Sequence, residues 1–415
     1  MEFSTCTELQ SRCFYRSDSK QSPASVAEFI YNKILTTGPI SVSEFMKIAL
    51  TFPKVGYYMN RDVFGKQGDF VTSPELSQMF GELIAAWFVS EWNNLGAPGS
   101  IQLVELGPGR GTLACDILRT FKQLRQVLQD TKMSFHFVEM SPFLSKVQYE
   151  LLCCKPLEKK IVFCTDNYFL SGRTPENIDL FWHNALDTVP RGTFMLFIAH
   201  EFFDALPVHK FVKKDGIWKE MYIDICSDGT KKNLRFVLLP NPTLACKTLI
   251  ARDEARQQVE VSPQSSLIVQ EMTSRISESN GAALIGDYGH FGTKEDTLRG
   301  FKKHQLADVL SDLGECDITA DVDFKYLRNA ALQCNVDVSG PISQHNFLKH
   351  LGIDTRLMML LRSSSDPEVR RKLIGGYDIM INPAQMGERF QFLSITSRSR
   401  LKDKNNKSVP ITGFE

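Results

Sequence analysis

The sequence predicts an α/β protein. It reads as a Rossmann-like, doubly wound, mostly parallel sheet with an N-terminal helical cap and an antiparallel insertion. Three observations carry this reading. Short apolar runs ending in an acid alternate with segments of helical period. The run Ile101-Gln102-Leu103-Val104 leads into Glu105-Leu106-Gly107-Pro108-Gly109-Arg110-Gly111-Thr112, a glycine-rich turn between a strand and a helix. Residues 208–239 alternate about turns at Asp215-Gly216 and Asp228-Gly229, the pattern of an antiparallel meander.

The elements follow in order. Residues 1–22 carry Arg12, Arg16 and Lys20 among Ser, Thr and Gln, a faint likeness to a mitochondrial presequence that Glu2, Glu8 and Asp18 oppose. A flexible tail is the alternative. Helical patterns at 25–35 and 41–50 are split by Gly38-Pro39. Ser73 reads as an N-cap with Pro74 in the first helical position and Glu75 against the dipole. The helix it opens runs to Trp92 and completes a cap spanning 23–100.

The core begins with strands at 101–106 and 134–139, the helix between them running through Val127. Ile161-Val162-Phe163 is a third strand and Phe194–Ala199 a fourth, closing the first part of the core, 101–207. The insertion spans 208–262, and the second part of the core spans 263–396. That part has a helix at 264–278, a fifth strand Ala282–Gly286, a helix near 322–333 and a short strand at 335–338. Helices at 344–362 and 366–375 and a closing strand Arg389–Ile395 complete it. Residues 397–415 are polar and read as a loose tail.

The chain has 48 basic and 48 acidic residues, so nothing suggests a nucleic-acid footprint. No apolar run reaches the length of a membrane span. The ten cysteines show no C-x-x-C spacing, which points to reduced thiols rather than a zinc or redox site. His209, His290 and His345 lack metal-ligand spacing, and no metal is expected.

The glycine spacing selects a cofactor. Thr112 stands where the third glycine of a dinucleotide fingerprint belongs, and no Gly-Lys-Ser/Thr follows for a phosphate loop. Acid-x-Gly-x-Gly-x-Gly resembles the first motif of class I S-adenosylmethionine methyltransferases. Glu105 can complement the ligand's cationic end, and the helix N-terminus its carboxylate. Glu139 closes the next strand, 28 residues beyond Gly111, where an acid accepts hydrogen bonds from ribose hydroxyls.

Further blocks strengthen this. They are GDFVTSPELSQMFGE at 68–82, VELGPGRGTL at 104–113, AHEFFDALPVHKF at 199–211, DYGHFGTKEDTLRGF at 287–301, DITADVDF at 317–324, QHNFLKHLGID at 344–354 and MGERF at 386–390. In this order they resemble the MidA family of methyltransferases, complex I assembly factors, over residues 28–396. The resemblance implies a class I methyltransferase core and a place in the mitochondrial matrix. It implies symmetric dimethylation of arginine in a core subunit of the peripheral arm of complex I, with S-adenosylmethionine as donor. By position, Glu105, Gly107, Gly109, Gly111 and Glu139 would hold the cofactor.

Glu201 and Asp204, after the fourth strand, are expected to grip the acceptor guanidinium, with Asp287 or His200 in support. Asp204 could instead serve a helix N-terminus, and His200 a strand-end hydrogen bond. The acids of 317–323 are expected to cap the next helix. Arg299 either anchors an acidic substrate segment or makes a surface ion pair. Two other functions stay open at this point: a cofactor-binding assembly chaperone and a methyltransferase for another acceptor. A Rossmann oxidoreductase is more distant. The oligomeric state is not legible.

Overall fold

A computed structural model describes residues 25–414 except 60, 64, 66–67, 69–71, 158–167, 227–232 and 403–408. The expected presequence or tail at 1–22, the strand at 161–163 and the turn at Asp228-Gly229 lie outside the described residues.

The central sheet contains β1 (Ser100–Leu106), β2 (Lys132–Val138), β3 (Leu170–Arg173), β4 (Asp179–His183), β5 (Met195–His200), β6 (Gly281–His290), β7 (Val336–Ser343) and β8 (Phe390–Ser397). Their order is β7-β8-β6-β5-β1-β2-β4-β3. The five strands from β6 to β4 run parallel, while β8 is antiparallel to β6 and β7, and β3 to β4. The chain steps outward from β1 through β2, then returns to β5 on the other side. That reversal makes the carboxyl edge between β1 and β5 the switch point where ligands bind such sheets. Leu106 lies level with Val138 and with Ala199, so the residues after each strand meet at one height.

Strand β5 is buried along its whole length, as a strand covered on both faces must be. Leu196 and Ile198 pack with Phe80, Trp87 and Ile117 on one face. Met195 and Phe197 pack with Val269, Met272 and Leu327 on the other. The cap and the insertion, read separately from sequence, are stitched together. Ile40 pairs with Ile223, and Phe45, Met46 and Leu50 share one core with Val208, Ile223 and Ile318. This joint unit stands over the carboxyl edge.

Several sequence readings are corrected. Strand β4 was not anticipated; it is five residues long and only partly alternating, too short for period alone to reveal. The helix expected from Ser73 to Trp92 breaks. Thr72 caps Ser73–Leu76 without a side-chain bond, and the extended Ser77 caps Gln78–Asn94 by accepting from Met79 N–H. The 344–362 helix is two helices parted at Gly352, whose φ is +82°.

The loose C-terminal tail is docked in its described part. Glu91 pairs with Arg400, both buried, and accepts from Thr412 N–H at 3.1 Å. Trp87 donates to the Thr412 carbonyl at 3.0 Å, and Phe414 packs on Phe347. A small sheet of Arg299–Lys302, Gln305–Ala307 and Asp317–Thr319 was also unforeseen.

Candidate active site

A cavity of about 730 Å³ opens at the switch point, within the range of nucleoside-sized ligand sites. Its cofactor-side wall includes Gly107, Gly109 and Glu139. Gly107 N–H donates to the Val138 carbonyl at 3.1 Å, locking the loop to β2. Its φ is +64°, and a Cβ there would stand 2.8 Å from the Phe202 ring. Only glycine lets the loop pass beneath that ring. Gly111, at φ +83°, is the left-handed N-cap of helix Thr112–Gln123. Unlike Gly107 and Gly109 it does not line the cavity, and it shapes the turn into the helix.

Glu139 is buried and accepts from Ser141 N–H at 2.8 Å and from Gln148 Nε2 at 3.0 Å. Burial still pushes its carboxyl up to about 7, against those two donors. Gln148 also donates to the Gly109 carbonyl at 2.7 Å and accepts from Trp182 Nε1 at 2.9 Å. It ties the glycine loop, the ribose-side acid and β4 into one hydrogen-bonded unit. Glu105 is 3% exposed, and its Oε2 has no hydrogen-bond partner among the described residues. Burial and the nearby Glu139 raise its carboxyl to about 8.

The facing wall is acidic and aromatic. Glu201 follows β5 with φ +51°, a strained conformation for a non-glycine residue. Asp287 over-determines it. One oxygen of Asp287 accepts from three consecutive amides, Phe202 at 3.1 Å, Phe203 at 2.8 Å and Asp204 at 3.3 Å. Its other oxygen accepts from Tyr288 N–H at 2.8 Å. Asp287 is fully buried inside β6 and does not line the cavity. Its expected place among the reacting groups is therefore corrected to a positioning role: its lone pairs are used on the loop that carries Glu201 and Asp204.

Both of those acids face the cavity. No helix follows Asp204, so it caps none. Burial raises Asp204 to about 6, opposed by the Arg299 guanidinium, and raises Glu201 well above its usual range, with Asp204 adding repulsion. Ser73 N–H donates to Glu201 at 3.2 Å.

Of the lining groups that sequence reasoning missed, three build the acceptor wall. Asp317 comes from the small sheet and accepts from Tyr58 Oη at 2.7 Å. Tyr58 lies in the cap and Tyr288 in β6. Burial raises both phenols well above 10, with Asp317 the next cause for Tyr58 and Glu201 for Tyr288. The Tyr57-Tyr58 pair and the acid run at 317–323 were the available hints. Only Asp323 in that run caps the helix, accepting from Lys325 and Tyr326 N–H groups. Asp321 pairs with Lys294 and Arg299, so Arg299 makes an ion pair rather than a free anchor. His200 lies beneath the loop, stacked on Phe390, and burial lowers its imidazole to about 3.

The unpartnered Glu105 oxygen, the glycine cradle under Phe202 and the nucleoside-sized cavity beside Glu139 fit S-adenosylmethionine. Its adenosine would lie beside Glu139 and Asn184, and its methionine end beside Glu105 and the loop.

Comparisons agree with this fit. The S-adenosyl-L-methionine-dependent methyltransferase family Methyltransf_28 matches residues 83–342. A Danio rerio relative named protein arginine methyltransferase NDUFAF7, mitochondrial, is 50% identical over 94% of this chain and 92% of its own. The Homo sapiens protein of that name is 50% identical over 89% and 83%. A Burkholderia thailandensis crystal structure with S-adenosyl-homocysteine bound shares the fold at TM-score 0.70 and 23% identity, covering 91% of this chain and 92% of that one. The chain belongs to the Methyltransf_28 family of S-adenosylmethionine-dependent methyltransferases.

Proposed function

We propose that the chain is a protein arginine methyltransferase that dimethylates arginine symmetrically in a peripheral-arm core subunit of complex I, in the mitochondrial matrix. The observation that carries the acceptor is the set of carboxylates on one cavity beside the cofactor loop: Asp204 and Asp317, both buried, and Glu201, whose side chain is 7% exposed. Three acids crowded out of water call for a cation with several donors, and a guanidinium offers five in a planar fork. The names of the mitochondrial relatives support the arginine, and the MidA resemblance supports complex I.

S-adenosylmethionine supplies an electrophilic methyl on a sulfonium. Glu201 and Asp204 fix the fork and draw its positive charge away from the attacking nitrogen. Tyr58 and Tyr288 close the chamber against water. The proton lost from the attacking nitrogen passes to a carboxylate oxygen of Glu201 or Asp204, both held by burial within reach of protonation.

The test is transfer of labelled methyl from S-adenosylmethionine into a mitochondrial extract, followed by hydrolysis. Label in symmetric dimethylarginine, lost with Gly109→Val, is expected. Label confined to another amino acid, or none despite cofactor binding, overturns the reading.

A further inference from the structure

Beside the glycine loop, under the main cavity, lies a second hollow of about 50 Å³, lined by Glu75, Glu105, Gly107, Gly109, His200 and Glu201 among others. Three polar atoms on its wall have no hydrogen-bond partner among the described residues: Glu75 Oε2, Glu105 Oε2 and His200 Nε2. Buried polar atoms are rarely left unpaired, because each bond given up to water and not remade costs stability. Three around one hollow, with Glu105 3% and His200 8% exposed, mark a place built for a donor.

The local charges define that donor. Arg110 meets Glu75 on its other oxygen at 3.6 Å and also faces Asp62 at 3.3 Å. That pair uses the other oxygen of Glu75, and no ion pair among the described residues reaches Glu105. His200 Nδ1 lies 3.5 Å from Glu201 Oε1, which directs its proton there and leaves Nε2 as an acceptor. The hollow therefore gathers three atoms able to accept in room for a few heavy atoms, and a cation there would restore to Glu105 the charge that burial disfavours. A primary ammonium carries three donors and one positive charge on a compact head.

We infer that Glu75 of the cap and His200 of β5 complete, with Glu105, the socket for the α-ammonium of the cofactor's methionine end. Gly107 and Gly109 line both hollows, so a ligand with its nucleoside in the larger one reaches the smaller across the loop. Glu105 belongs to the glycine motif. Glu75 and His200 come from outside it, and Glu75 makes the cap part of the cofactor site. The inference rests on the family's cofactor and is independent of the acceptor.

The experiment is calorimetric binding to the full chain of S-adenosylhomocysteine and of its analogue lacking only the α-amino group. The wild type should prefer the amino compound. Glu75→Gln should narrow that preference about tenfold or more by weakening S-adenosylhomocysteine alone, and His200→Gln should narrow it in the same sense. The ratio between the two ligands is an internal control, since a general packing defect weakens both equally. Equal loss for both ligands, or an unchanged ratio in both variants, overturns the socket. That result would leave ordered water as the occupant of the hollow, whatever the acceptor assay shows.

Discussion

The two walls of the main cavity are built differently. On its nucleoside side the cofactor wall is set mainly by one stretch, 105–148, which Asn184 joins in the cavity. Its acid Glu139 is satisfied by nearby donors, Ser141 and Gln148. The acceptor wall is gathered from four separate places. Tyr58 and Asp317 are 259 residues apart, and Glu201, Asp204 and Tyr288 come from two further segments. Burial raises both of its facing acids, with Asp204 adding to the rise of Glu201 while Arg299 only partly offsets that of Asp204. The nucleoside side of the cofactor site is thus largely a local property of the motif, while acceptor choice is a property of the tertiary assembly.

That contrast breaks first at Gly107. Gly107→Ala places a Cβ 2.8 Å from Phe202 at a φ of +64°. It should abolish measurable S-adenosylhomocysteine binding by calorimetry; retained binding would show that the loop does not seat the cofactor. Next, Asp204→Asn and Asp317→Asn should each lower methyl transfer about 100-fold or more, with cofactor affinity unchanged within about twofold. Parallel loss of both would mean that the walls are one unit. Gln148→Ala should weaken S-adenosylhomocysteine about tenfold, by freeing Glu139 and the Gly109 carbonyl.

The smallest effect is pH dependence. Glu105 titrates near 8 in the fold against an ordinary 4.5. Between those values the unfolded chain releases a proton that the fold retains, so ligand-free stability falls as pH rises. His136 and His200 are held near 3 and oppose this only below about 6.5, where unfolded histidines take up protons. From pH 6.5 to 8 the melting temperature should drop by about 2–4 °C. Glu105→Gln should flatten the slope, and an unchanged slope would remove Glu105 from the account.

The same division explains what was legible in the sequence. Glu105, the glycines and Glu139 could be placed because a strand, a turn and a helix announce themselves within a few residues. Glu201 and Asp204 were found as acids after a long apolar strand. Asp317 was read as a helix cap because only the small sheet brings it over the cavity. Gln148 gave no hint, since a glutamine on a helix face reads as solvated until Trp182 and Glu139 close around it. The tail was misjudged for a related reason. Arg400 sits in a polar stretch, and nothing near it announces the buried Glu91 more than 300 residues earlier.

The position of β8 has a consequence for how the chain comes into being. Phe390–Ser397 lies inside the sheet, between β6 and β7, and is hydrogen-bonded on both sides. A chain that emerges from its N-terminal end lacks this strand until residues 390–397 have appeared. Until then β6 and β7 expose unpaired edges, and Phe347 lacks its stacking partner Phe392. Closure of the sheet therefore waits on a strand made after both of its neighbours, and the interval before it arrives is when a chaperone has most to protect.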